Sequence, residues 1–422
     1  MKGHHLGPGG LLICGLAIAA CSQAMQLSPS QYTPNISLGS QPHGASPPSF
    51  SVLYKFGADS ADGAYPVAGL TKVRETLYGT TSQGGAYRSC VAPYDCGGTV
   101  FSITTNGTEK VLHSFAGGSD GAAPHAALLN VNGTLYGTTP RGGAYDASEG
   151  GGGTVFSITT TGKEHVLYSF GSGSDGAHPE AGLIEVSGRL YGTTYDGGAY
   201  GNGAVFSITT TGKEHVLYSF GGGGDGAYPQ AALTDVSNTL YGTTYSGGEH
   251  GNGTVFSIAR TGKEHVLYSF GKGSDGARPQ APLIDVSNTL YGTTYYGGAH
   301  GTGTVFSITR GGAEKVLHSF AKGFDRPHGA SEDGSEPRAG LLDVKGTLYG
   351  TTSMGGAHDN GTIFSITTSG TERVVHSLKG KAQGGQGVYP LAPLIDVDGT
   401  LYGTASSGGR SVGWGTVFAL TP

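Results

Sequence analysis

Residues 181–220 read AGLIEVSGRLYGTTYDGGAYGNGAVFSITTTGKEHVLYSF. Ala181–Val186 and Arg189–Thr194 are strand-like runs joined by Ser187-Gly188, a pair that tolerates the positive φ of a two-residue hairpin. In Ala204–Thr209, Phe206 and Ile208 alternate with Val205, Ser207 and Thr209, a β-branched and aromatic alternation that predicts a third strand. After a turn at Thr211-Gly212-Lys213, a fourth is expected over His215–Phe220. We label these strands a to d in chain order.

The unit recurs along the chain. Leu-Tyr-Gly-Thr begins at Leu77, Leu135, Leu190, Leu240, Leu290, Leu348 and Leu401, at spacings of 58, 55, 50, 50, 58 and 53 residues. A period near 50 with four short strands per copy predicts an all-β, closed seven-bladed β-propeller with four-stranded antiparallel blades. The last copy reaches only its strand c, at Ala419–Pro422, whereas Ser51–Phe56 repeats the strand d sequence ahead of the first full copy. The N-terminal strand is therefore expected to complete the last blade, removing two exposed edges. An open solenoid would instead call for capping repeats, and none is visible.

The motifs VLYSF, DGAYPQA, LYGTTYSGG, GNGTVFSI and TGKEH, once per copy and in constant order, resemble the GloVer (Gloeo/Verruco) tandem repeat over about residues 50–422. The resemblance implies an exported bacterial propeller carried by one of several anchoring signals, with no reaction attached to it.

Composition agrees with short strands and tight turns: Gly numbers 80 of 422 and charged residues are 13%. A formal charge of −6 without a basic cluster leaves no footprint for nucleic acid. At the N-terminus, Lys2 and the apolar run Leu11–Ala20 read as an export signal over residues 1–20, too short to span a bilayer. Ile18-Ala19-Ala20-Cys21 resembles a lipoprotein signal, which implies acylation of Cys21. With Ser22 following, an outer-membrane or cell-surface destination is expected, a secreted or periplasmic one being the alternative. Residues 21–49, rich in Ser and Pro, read as a flexible tether before the propeller of residues 50–422. Cys90 and Cys96 share one loop and are expected to pair in an oxidising compartment.

Strand order puts the short a–b and c–d turns on one face and the long b–c and d–a connections on the other, where binding is expected. The d–a connections carry Asp-Gly-x-x-Pro at Asp62, Asp120, Asp175, Asp225, Asp275 and Asp333, with Gln386 in the seventh copy. These carboxylates suit cations or sugar hydroxyls; equally, Asp-Gly is a turn whose side chain caps its own backbone, and recurrence in every blade speaks for the turn. In the b–c loops, Gly-Gly is followed two residues later by Tyr87, Tyr145, Tyr200, His250, His300 and His358, with Ser411 in the last copy. Such a ring predicts an aromatic collar for sugars or peptides. Equivalent histidines of adjacent blades lie too far apart for one ion, so neither metal nor cofactor is expected. Strand a places Glu185, Asp235, Asp285, Asp343 and Asp396 at one register, as an acidic channel wall or as partners of nearby backbone.

Two motif matches lack their context. Gly117–Gly121 fits G-x-S-x-G without a strand-to-helix turn, and the Gly-rich Gly221–Tyr228 does not recur every nine residues. Irregular segments at 88–95, 146–152, 324–332 and 380–388 are where unique chemistry would fall. The expectation is a monomeric, lipid-anchored binding or scaffolding module for glycan or a cell-surface protein. The alternative is a propeller hydrolase or lyase acting on polysaccharide, for which the sequence assigns no acid–base pair.

Overall fold

The computed structural model describes residues 48–59, 61–87, 97–145, 151–221, 223–320, 331–410 and 414–422. Cys21, Cys90, Cys96 and Ser411 lie outside them, as do residues 88–95, 146–150 and 324–330 of the irregular segments. Among the described residues no helix is long and apolar enough to cross a membrane.

Seven four-stranded antiparallel sheets form the blades of a propeller. In the third, strands a (Ile184–Val186), b (Arg189–Thr194), c (Ala204–Thr209) and d (Glu214–Ser219) lie side by side in chain order. Strand a of each blade lies against strand a of the next, from Thr71–Val73 through to Ile395–Val397, so these strands surround the axis and strands d form the rim. The hairpin turns behave as their residues predict, with Ser187 and Gly188, Ser237 and Asn238, and Ser287 and Asn288 all at positive φ. Strand a is shorter than predicted, because Ala181-Gly182-Leu183 has no ladder partner. The Ala181 carbonyl instead accepts the Thr138 hydroxyl of the preceding blade at 2.9 Å.

The N-terminal strand closes the ring. Ser49–Lys55 pairs antiparallel with Thr416–Thr421 and supplies strand d of the last blade. Its register shifts between Val52 and Tyr54, as every other c–d pair shifts at the same place. The hydroxyl contact that ties Thr138 to Ala181 runs from blade to blade, as in Thr193 to the Ala231 carbonyl at 3.2 Å and Thr293 to the Ala339 carbonyl at 3.1 Å. Thr404 to the Ala68 carbonyl, at 3.0 Å, makes the same contact between the last blade and the first.

The signature glycine has a steric cause. Gly137 pairs across the sheet with Phe156, whose ring lies 2.5 Å from where a Cβ would stand, and all seven copies repeat the clash at 2.5–2.8 Å. That ring in turn meets the phenylalanine ending strand d of the preceding blade, edge to face: Phe115 on Phe156, Phe170 on Phe206, Phe220 on Phe256, each at 5.0–5.2 Å. The core is thus a series of separate clusters, each spanning one blade-to-blade seam.

Candidate functional site

The long connections all emerge on one face, but in two concentric zones. The outer zone is the rim. In five blades the b–c loop is pinned to the end of its own strand d, for example by Ala199 N–H donating to Ser219 Oγ at 3.1 Å and Ala299 N–H to Ser319 Oγ at 3.2 Å. This carries Tyr87, Tyr145, Tyr200, His250, His300 and His358 outward, away from the axis. Tyr200 is 68% exposed and borders an open groove of about 550 Å³ against strand d of its blade, with Tyr218 and Asp225.

The Asp-Gly carboxylates are bound within this rim. Tyr54, Tyr168, Tyr218 and Tyr268 of strand d donate to Asp62, Asp175, Asp225 and Asp275 at 2.7–3.0 Å. His113 and His318 take the tyrosine's place at Asp120 and Asp333, with Nε2 at 3.1 and 3.0 Å. Backbone N–H groups of the turn complete the caps, including Gly57 to Asp62 at 2.6 Å, Ala116 to Asp120 at 2.7 Å and Gly221 to Asp225 at 2.8 Å. A glutamate opening strand d of the following blade approaches the same spot. Glu109, Glu164, Glu214, Glu264 and Glu314 are each pushed up to about 7, burial being the largest cause. Burial likewise raises Tyr168, Tyr218 and Tyr268, with the adjacent carboxylates adding to it. The strand a carboxylates sit at the opposite face, where Asp343 and Asp396 accept the turn N–H of Gly346 and Gly399 at 2.8 and 3.0 Å.

The inner zone is the mouth of the axial channel, a cavity of about 160 Å³ lined by all seven blades. Its wall is made by the residue after each Asp-Gly-x-x-Pro proline, and these run Val67, His125, Glu180, Gln230, Gln280, Arg338 and Leu391. Beside them stand the residues before the proline: Tyr65, Ala123, His178, Tyr228, Arg278, Glu336 and Tyr389, every one at φ 54–58°. Left-handed backbone favours glycine, and this chain uses glycine freely. Six of the seven keep a large polar or aromatic side chain there instead.

Those side chains interlock with the ends of strands b. Tyr195 stacks on Tyr228 with ring centroids 5.0 Å apart. His178 Nδ1 lies 3.0 Å from Asp196 Oδ2. Burial raises the Glu180 carboxyl above its ordinary value; His178 opposes the rise, Asp196 adds to it and Arg141 opposes it. On the other side of the mouth, Arg278 donates to Tyr245 Oη at 3.0 Å and lies over the Tyr245 and Tyr296 rings. Arg338 donates to Tyr295 Oη at 2.6 Å and sits 4.2 Å above its ring, while Tyr295 donates to Glu336 at 3.1 Å. Burial pushes the Tyr295 phenol up to about 12.

Sequence reasoning passed over this inner zone. A column that differs from copy to copy drops out of a search for recurring motifs, yet comparing the residues flanking the seven prolines would have exposed it.

The seven repeats thus agree in frame and differ in the side chains at the channel mouth. The chain belongs to the Gloeobacter/Verrucomicrobia repeat family, whose model matches residues 44–235, 144–330 and 324–422. No curated protein sequence matches it. Among solved structures, a europium-containing methanol dehydrogenase is 11% identical over 88% of this chain and 93% of its own, with a TM-score of 0.49. A Bacteroides uniformis protein assigned as a 6-phosphogluconolactonase is 14% identical over 75% and 86%, at 0.47. A luciferin-regenerating enzyme is 11% identical over 89% and 95%, at 0.41. Likenesses this distant carry no argument about function.

Proposed function

We propose that the propeller is a binding module for glycan, displayed at the bacterial surface by acyl chains on Cys21, with its primary contacts at the channel mouth. The observation that carries this reading is the mouth itself: aromatic faces of Tyr195, Tyr228, Tyr245 and Tyr296 interleaved with Arg278, Arg338, Glu180 and Glu336. Stacking surfaces for sugar rings beside paired donors and acceptors for hydroxyls are what carbohydrate recognition requires. The rim residues Tyr87, Tyr145, Tyr200, His250, His300 and His358 then serve as outer contacts for a longer chain. The Asp-Gly carboxylates hold the rim turns in place.

A glycan array probed with the mature domain tests this directly. Retention of a defined set of oligosaccharides by the parent, lost in Arg338→Ala, is the expected result; an array without retained glycans, or one unaltered by that change, argues for a protein ligand or another face. Cys21→Ala should release the protein from the membrane fraction, and retention there would remove the anchor from the proposal. Non-reducing mass spectrometry should find Cys90 and Cys96 paired rather than alkylatable.

A polysaccharide hydrolase or lyase is the second reading, favoured by one cluster. His178 paired with Asp196, beside a Glu180 carboxyl held toward its protonated form, supplies a base and an acid at one spot. If so, Glu180→Gln abolishes cleavage of a retained glycan and spares its binding.

A further inference from the structure

Six blade-to-blade seams join a strand d residue, the Asp-Gly position that follows it and the residue opening strand d of the next blade. At Tyr54, Tyr168, Tyr218 and Tyr268 the first of these is a phenol that donates its proton to the aspartate. At two seams a histidine stands there with both carboxylates retained. His113, Asp120 and Glu164 bring Nε2 and one oxygen from each acid within 4.8 Å of one another, and His318, Asp333 and Glu372 do the same. His113 Nε2 lies 3.1 Å from Asp120, His318 Nε2 lies 3.0 Å from Asp333, and Glu164 Oε1 is buried without a hydrogen-bond partner.

A third histidine provides a contrast within the same molecule. At the seam of the last blade His376 accompanies Gln386, at 2.9 Å, and Phe50 in place of the glutamate, stacked on the imidazole at 4.2 Å. Where one acid is lost, so is the other.

We propose that His113, Asp120 and Glu164, and separately His318, Asp333 and Glu372, are two binding sites for a divalent transition-metal ion that staples adjacent blades. The donor set, one imidazole and two carboxylates, suits Zn²⁺ and its neighbours, leaving a fourth position for water. Ligands on one tetrahedral ion stand about 3.4 Å apart, from metal–ligand bonds of about 2.1 Å. Reaching that spacing takes only small side-chain movements from the present geometry. Each site ties together two strands d and the connection between their blades, so ion binding stabilises the ring at the two seams concerned. Tyrosine at this position cannot serve, because burial raises its phenol further from ionisation.

The test is zinc content after tag-free, chelator-stripped protein is dialysed against Zn²⁺. Parent protein is expected to hold two ions per chain, His113→Tyr and His318→Tyr one each, and the double variant none. Zinc should raise the melting temperature of the parent and leave that of the double variant unchanged. Tyrosine restores the clip found at the other seams, so the variants keep the parent's melting temperature in EDTA. Should they fail to fold, Glu164→Gln and Glu372→Gln give the same stoichiometries. Parent protein that retains no zinc, or variants that retain two ions, overturns the proposal.

Discussion

The rim and the mouth occupy the same face of the propeller and are built from the same connections, yet they follow opposite rules. At the rim one device recurs, an aspartate or glutamine held by the tyrosine or histidine of strand d, with turn N–H groups completing the cap as at Asp175, Asp225 and Gln386. At the mouth, three and five residues beyond the same aspartate, the side chains change from blade to blade: His178 and Glu180 in one blade become Arg278 and Gln280 two blades on. The backbone is identical in both, down to the left-handed φ before the proline. Uniformity therefore marks what the ring needs in order to close, and variation on a fixed backbone marks what the closed ring presents.

The most severe test of that division removes part of the frame. Deleting residues 48–55 strips the last blade of its outer strand and opens the edge of Thr416–Thr421. A loss of several kcal/mol, with aggregation, is expected in thermal melting and size-exclusion chromatography. A truncated monomer melting with the parent would mean that ring closure contributes little.

Single substitutions sharpen the comparison by separating stability from binding. Asp175→Ala at the rim leaves the Tyr168 hydroxyl and the turn N–H of Gly171 and Ser172 without their acceptor, and should cost roughly 1–3 kcal/mol. Its effect on glycan retention should be small. Arg338→Ala and Tyr228→Ala at the mouth should reverse the pattern, weakening binding by roughly 2 kcal/mol while melting stays near the parent value. Tyr200→Ala, exposed on the rim, should weaken binding by about 1 kcal/mol or less. Equal losses from Tyr200→Ala and Arg338→Ala would shift the anchor outward, to the groove beside strand d.

How much of this was legible in the sequence follows the same line. The Leu-Tyr-Gly-Thr period, the Ser187-Gly188 type of hairpin and the strand d copy at Ser51–Phe56 all recur, and each became an element where it was expected. The cap on Asp175 was readable as a turn, though its tyrosine partner was not, since Tyr168 lies in strand d, seven positions before the carboxylate it meets. The mouth was illegible for a physical reason. Tyr195 and Tyr228, Tyr245 and Arg278, and Tyr295 and Glu336 come from adjacent blades and meet only once strands a converge on the axis, so no local spacing announces them.

The smallest expected effect comes from titrating the seams that bind the rims together. Glu214 faces Asp175 and the Tyr168 phenol across one seam, with Arg189 opposing its rise; Glu264 faces Asp225 and Tyr218 across the next. Both carboxyls titrate near 7 in the fold, burial being the main cause, and near 4.5 when unfolded. Between those values the unfolded chain gives up protons that the folded ring retains, so unfolding becomes easier as pH rises through the window. Stability from these groups is complete below about pH 4.5, declines up to about pH 7 and is flat above it. Because both carboxyls are about half exposed, water screens the effect and each seam contributes modestly. Melting temperature should therefore fall gently from pH 5 to pH 8, and Glu214→Gln with Glu264→Gln should flatten part of that slope while leaving binding at the mouth unchanged. A slope identical in the double variant would assign the pH dependence to groups other than these seams.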